Sequence, residues 1–281
     1  MVATERRCAR AIVEYDGTAF AGSQVQPNRR TVQGELEEAL NRLTGERVRV
    51  RFAGRTDAGV HATGQVAALC LPARARGTGW SWAELQRRLN AVLPPDLAIH
   101  GLRAAPPGFD PRRDALRRVY RYRIRMGGRQ HPLERHRTLE IQDQLDVAAM
   151  RAAAAAIRGE RDFAALGTDP HGRTVRHVTE VAVLRRGDLV EVRVTGDAFL
   201  RGMVRSIVAV LLEAGRARLS AGDVGTLLGA RTRALDGRAA PARGLTLERV
   251  SYSNTRRKVE SERRRAPGRR ATSVQAERDD E

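Results

Sequence analysis

From Tyr120 to Arg125 the order Tyr-Arg-Tyr-Arg-Ile-Arg alternates a ring or aliphatic side chain with a guanidinium. Wound as a helix, these residues would scatter the arginines around the axis. Extended, they place all three arginines on one face and the apolar groups on the other. Val119 to Ile124 therefore reads as a strand, and a chain that contains it needs a sheet to hold it. Two readings of its faces stay open: the tyrosines stack a nucleic acid base, or they face a core while the arginines face water.

Val48, Val50 and Phe52 alternate with arginines in the same period, and Ala9 to Tyr15, QVAALCL (65–71), LAIHGL (97–102) and Leu245 to Tyr252 also read as strands. RHVTEVAVLRRGDLVEVRVTG (176–196) reads as a hairpin turning near Gly187 and Asp188. Helical spacing appears between these strands. Thr31 can cap a helix carrying Val32, Leu36, Leu40 and Leu43 that stops before Gly45. Ser81 with Glu84 reads as a capping box for a helix carrying Leu85, Leu89 and Val92. Asp146 to Arg158 and about Leu200 to Ala214 complete the set. The fold class expected is α+β, with two similar halves that each mix helices with mostly antiparallel strands, although no repeat is visible at the level of letters. The halves are placed at 1–105 and 106–253, followed by an Arg-rich tail, 254–281, expected to be disordered.

Charge narrows the partner. Lys and Arg number 51 against 33 Asp and Glu, a formal +18. The tail from Asn254 holds nine basic and six acidic residues, so 9 − 6 = +3 belongs to it and 18 − 3 = +15 to the rest. A basic folded body suits a polyanion. Lys258 is the only lysine, which excludes a P-loop GK[ST] and a Schiff-base or general-base lysine in the body, and leaves guanidinium as the phosphate-gripping group. That favours nucleic acid over an anionic membrane. No stretch approaches the roughly 20 apolar residues of a membrane span, and MVATERRCARAIV lacks the apolar core of a signal peptide, so a cytoplasmic protein is expected. Cys8 and Cys70 lack metal or redox spacing and are expected to be reduced.

The densest chemistry lies in AGRTDAGVHATGQV (53–66). Gly54 and Gly59 allow positive φ or the close approach of a ligand, so Asp57 can project from a tight turn; equally, Asp57 can simply order the turn through an Asx hydrogen bond. Arg55 offers a guanidinium beside that carboxylate, favouring its charged form, or a fork for phosphate. His61 reads as an acid or a turn residue. It is rejected as a metal ligand, because no second His or Cys stands at ligand spacing. Gln65 reads as a solvated strand-edge residue or a donor to a ligand. In DAFLRGMVRSIVAVLLEAG (197–215), Arg201 and Arg205 fall four apart on a helix face expected to be solvated.

GRTDAGVHATGQV closely resembles the signature of the TruA-type tRNA pseudouridine(38–40) synthases. The likeness continues through VEYDGTAFAG, TVQGELEEAL, RVYRY, DAFLRGMVRSIV and RGLTLERVSY, covering about residues 9–252. The resemblance implies an isomerase that converts uridine to pseudouridine in the anticodon arm of tRNA, with the target base flipped out and with no cofactor or catalytic metal. It implies Asp57 as the catalytic carboxylate, Arg55 as a group that fills the vacated space or contacts the RNA backbone, Tyr120 as the ring stacked on the target base, and Arg205 as the cation paired with Asp57. It further implies sheets set side by side, a basic cleft between the halves and a homodimer acting on tRNA. Two departures stand out: Ser23 where the family usually has Trp, and Asp110 where it usually has His. They motivate a second reading, an RNA-binding or chaperone-like module of the same fold without turnover. A metal-dependent nuclease is disfavoured, because no second carboxylate lies near Asp57 in sequence.

Overall fold

The computed structural model describes residues 6–73, 75–230 and 234–253, so the expectation of a disordered tail from 254 lies outside the described residues. Ten strands form one sheet: β1 (Arg6–Tyr15), β2 (Arg51–Phe52), β3 (His61–Pro72), β4 (Leu97–Ala104), β5 (Ala115–Arg125), β6 (Leu139–Glu140), β7 (Gly159–Asp162), β8 (Val175–Arg186), β9 (Leu189–Gly196) and β10 (Leu245–Tyr252). The spatial order is β4-β1-β3-β10-β5-β9-β8-β7, with β2 beside β3 and β6 beside β5. Pairing is antiparallel except at β3–β10 and β5–β6. The architecture is thus α+β, with a large, mostly antiparallel sheet.

Strand β10 joins the early and late parts of the chain. It runs antiparallel to β5 over most of its length and parallel to the start of β3, where Thr246 and Leu247 face His61 and Ala62. The close approach there depends on Gly64: a Cβ on it would lie 2.0 Å from the carbonyl oxygen of Glu248.

Five helices, α1 (Val32–Thr44), α2 (Trp82–Val92), α3 (Val147–Ile157), α4 (Met203–Gly215) and α5 (Ala221–Gly229), supply the other layer. Thr31 caps α1 by accepting the Gly34 N–H, and Gly45 ends it at φ +72°. Helices α1 and α2 pack together and α2 lies on β4, while α3 contacts α4, α5 and β8. The strands alternate accordingly: in β1, Ala9, Ala11, Val13 and Tyr15 are buried while Ile12 and Glu14 are exposed. Burying a side chain such as Leu40, Leu85 or Ile157 contributes about 1.5–3 kcal/mol.

Several expectations are revised. The strand expected over Val48–Phe52 shrinks to β2, because side chains of α1 replace the ladder: Glu37 Oε1 accepts the Val50 N–H at 2.9 Å and Gln33 Nε2 donates to the Val50 carbonyl at 3.0 Å. Helix α4 starts at Met203 rather than about Leu200, since Gly202 turns at φ +75° and Arg201 instead bridges to Thr168. The Ser81 box is half formed: its hydroxyl accepts the Glu84 N–H, but the Glu84 carboxylate turns to Arg87 and Arg88. Cys8 and Cys70 are not free thiols. Sixty-two residues apart in sequence, they stand directly opposite in the β1–β3 register and form a disulfide.

Candidate active site

Between β2 and β3 the chain turns through residues 53–60, and its neighbours fix this loop at several points. Gln65, buried in β3, donates to the Gly54 carbonyl at 2.9 Å. Ser23 grips Thr56 from both sides: the Ser23 N–H donates to the Thr56 carbonyl at 3.1 Å, and the Ser23 hydroxyl accepts the Thr56 N–H at 2.9 Å. The Thr56 hydroxyl shares a hydrogen bond with the Tyr15 hydroxyl at 2.8 Å. Every polar group of Thr56 is therefore satisfied, as its burial demands. The Val60 N–H closes the turn on the Asp57 carbonyl at 3.2 Å, and Gly59 takes φ +78°. Asp57 thus rises from a fixed backbone with its side chain 31% exposed.

The partner of that carboxylate comes from α4. Arg205 Nη1 lies 3.3 Å from Asp57 Oδ2. Its Nε donates to the Ala240 carbonyl at 2.7 Å, and the Ala240 N–H returns a bond to the Arg205 carbonyl at 3.0 Å. Held in this way, the Arg205 guanidinium has little freedom to leave the carboxylate. The expectation of a solvated Arg201–Arg205 helix face is overturned: Arg201 precedes the helix and Arg205 is engaged with Asp57.

Tyr120 of β5 lies beside the pair. Burial first, and then the neighbouring Tyr15 and Asp57, hold its hydroxyl above the ordinary tyrosine value, against the opposing charge of Arg118. Phe199 meets its ring edge-on, with centroids 5.3 Å apart and planes at 87°. Tyr15 is pushed up to about 12 by burial, against the hydrogen bonds of Thr56 and Gln65. The tyrosines of the Tyr-Arg strand both lie on its covered face. Tyr122 is core, its hydroxyl donating to the Pro241 carbonyl at 2.8 Å, and Tyr120 is buried next to Asp57. On the opposite face, Arg121, Arg123 and Arg125 do not stand alone in water but pair with Glu191, Glu248, Glu134 and Asp188.

The remaining candidates separate. Arg55 is exposed and forms no hydrogen bond or ion pair among the described residues. His61 is buried at the start of β3. The Gly17 N–H donates to its Nδ1 at 3.0 Å, so Nε2 carries the proton and donates to the His136 carbonyl at 2.7 Å. Its ring ties loops together. Gln65 is not a strand-edge residue but a buried one. Among the described residues, no group of three or more His, Cys, Asp or Glu side chains is placed to hold a metal ion. Sequence reasoning passed over Phe199 and the burial of Arg118. The strand's period in fact sets Arg118 on the face of Tyr120 and Tyr122, apart from Arg121, Arg123 and Arg125.

Both departures are built into the scaffold. Ser23 supports the Asp57 loop as described. Asp110 accepts the N–H groups of Arg112 at 2.9 Å and Arg113 at 3.0 Å, and pairs with Arg51 at 3.1 Å. Burial would raise its carboxyl, but those backbone donors and Arg51 hold it below the ordinary aspartate value.

A single carboxylate set against an arginine, beside a buried tyrosine, on a loop entering the central strand β3, defines a site for carboxylate chemistry. Residues 11–112 and 153–253 match the family model described as tRNA pseudouridine synthase. The "tRNA pseudouridine synthase A" of Geobacter sulfurreducens is 42% identical over 252 residues, 88% of this chain and 100% of the relative. Its namesake in Chloroflexus aurantiacus is 45% identical over 249 residues, 86% of this chain and 87% of the relative. That of Myxococcus xanthus is 42% identical over 247 residues, 85% of this chain and 90% of the relative. The chain belongs to the tRNA pseudouridine synthase family, a family of isomerases.

Proposed function

We propose that the protein isomerises uridine to pseudouridine in the anticodon stem-loop of tRNA, at positions 38–40, with Asp57 as the catalytic carboxylate. The observation that carries this reading is the Asp57–Arg205 contact at 3.3 Å on a loop whose backbone is fixed by Ser23, Tyr15 and Gln65. The N1–C1′ glycosidic bond of the bound uridine breaks, the uracil turns, its C5 bonds to C1′, and the C5 proton is lost to water while N1 takes up a proton. Extrusion of the base costs a few kcal/mol. Arg55, exposed and free of partners among the described residues, is suited to enter the vacated stack or grip a phosphate. Tyr120 offers its ring to the flipped base, and Arg205 supplies the charge opposite Asp57.

The proposed substrate is tRNA, and the proposed assembly is a homodimer in the cytoplasm. No helix among the described residues is long and apolar enough to cross a membrane. We place the functional division of the chain between 1–105 and 106–253. The test is tritium release to water from unmodified tRNA labelled at uridine C5, in EDTA, by the wild type and by Asp57→Ala. Release by the wild type alone supports the reading. Tight binding without release by the wild type would replace it with an RNA-binding module.

A further inference from the structure

Arg118 lies in β5 two residues before Tyr120, so it shares the covered side of the sheet and is only 8% exposed. A buried guanidinium stays charged and needs compensation. Arg118 forms no ion pair among the described residues. Its donors go instead to backbone carbonyls from separate segments. Nη2 donates to Ala53 at 2.8 Å and to Arg112 at 2.8 Å, while Nη1 donates to Asp197 and, at 3.4 Å, to Ala115.

Those carbonyls are placed around the site. Ala53 is the root of the loop that carries Asp57. Asp197 opens the segment leading through Phe199, whose ring meets Tyr120, to α4 and Arg205. That segment is stiff at its start: the Asp197 N–H donates to the His177 carbonyl, and the Asp197 carboxylate accepts the His177 and Ala198 N–H groups. One planar cation therefore joins the root of the Asp57 loop to the segment bearing the ring beside Tyr120. We infer that Arg118 is a positioning residue for the isomerisation, fixing the Asp57 loop relative to Phe199 and Tyr120 without touching the substrate. This rests on the reaction proposed above. A misplacement of about 1 Å can cost on the order of a hundredfold in rate.

Arg118→Lys keeps the charge but replaces a fork of fixed geometry by a point donor that cannot span the carbonyls. With C5-tritiated tRNA and saturating enzyme, the single-turnover rate of Arg118→Lys is expected to fall at least about tenfold, with tRNA affinity within about twofold of the wild type. A rate within about twofold of the wild type, or a loss confined to affinity, overturns the inference. Wild type without release refutes the proposed reaction itself, a separate outcome. Amide hydrogen exchange on the wild-type chain decides the geometry even if the variant fails to fold. Residues 53–58 and 196–200 are expected to open as one unit. Independent opening of the two segments overturns the inference.

Discussion

Replacing Gly64 by Ala tests the join at the centre of the sheet. The added Cβ would lie 2.0 Å from the Glu248 carbonyl oxygen, 2.7 Å from its carbon and 2.9 Å from the Arg249 Cα, all backbone atoms of β10. Carbon and oxygen in optimal contact sit at about 3.5 Å, so β10 must retreat by more than an ångström or lose its pairing with β3. No rotamer relieves the clash. The cost belongs at the upper end of overpacking, about 3 kcal/mol. For a chain of this size, about 2–4 °C per kcal/mol puts the loss in melting temperature at about 6–12 °C. Gly54→Ala is the control within the same motif: its Cβ would meet nothing within 4 Å, and Gly54 is not among the positive-φ glycines. It is expected to change stability by less than about 0.5 kcal/mol. Thermal unfolding followed by circular dichroism reads both. If Gly64→Ala melts with Gly54→Ala and the wild type, the account of the β3–β10 contact is wrong.

Ser23→Ala removes the acceptor of the buried Thr56 N–H, at a cost of about 1–3 kcal/mol, and is expected to lower both the melting temperature and turnover; unchanged turnover would detach Ser23 from the Asp57 loop. Tyr15 has a folded pKa of about 12 against 10 unfolded, so its contribution, about 3 kcal/mol, is complete below pH 10 and is lost as pH rises through the folded value. Tyr15→Phe should flatten that alkaline decline in stability, and an identical decline in the variant refutes the assignment. Breaking the Cys8–Cys70 bridge with a reductant is expected to cost about 2–4 kcal/mol, read as a lower urea midpoint; equal midpoints with and without reductant would count against the bridge.

Elements governed by local chemistry are visible in the sequence. Strand β10 runs over the residues its alternation marks out, and α1 lies between its Thr31 and Gly45 signals because cap and stop are local. Helix α5 is hard to read from sequence, because three of its nine residues are glycine. It is held by the reciprocal Ser220–Asp223 box and by burial of Val224 and Leu228. Strand β2 is shorter than its alternation suggests, because alternation cannot reveal that α1 side chains take the backbone bonds. At the site, the motif singles out Asp57, and family likeness supplies its pairing with Arg205. Residue patterning alone leaves Arg205 on a solvated helix face, since 148 positions separate the two. The grip of Ser23 on Thr56 is likewise a product of tertiary packing. So is the disulfide, which exists because the β1–β3 register sets two distant cysteines opposite each other.

The position of β10 also bears on how the chain comes off the ribosome. Strands β3 and β5 are translated long before the strand that fills the gap between them, so each presents an unpaired edge through the whole interval of synthesis. Such edges are templates for unwanted pairing between nascent chains. Closure of the sheet must await a segment made more than a hundred residues after β5, so a chain arrested before residue 245 should be a client for chaperones.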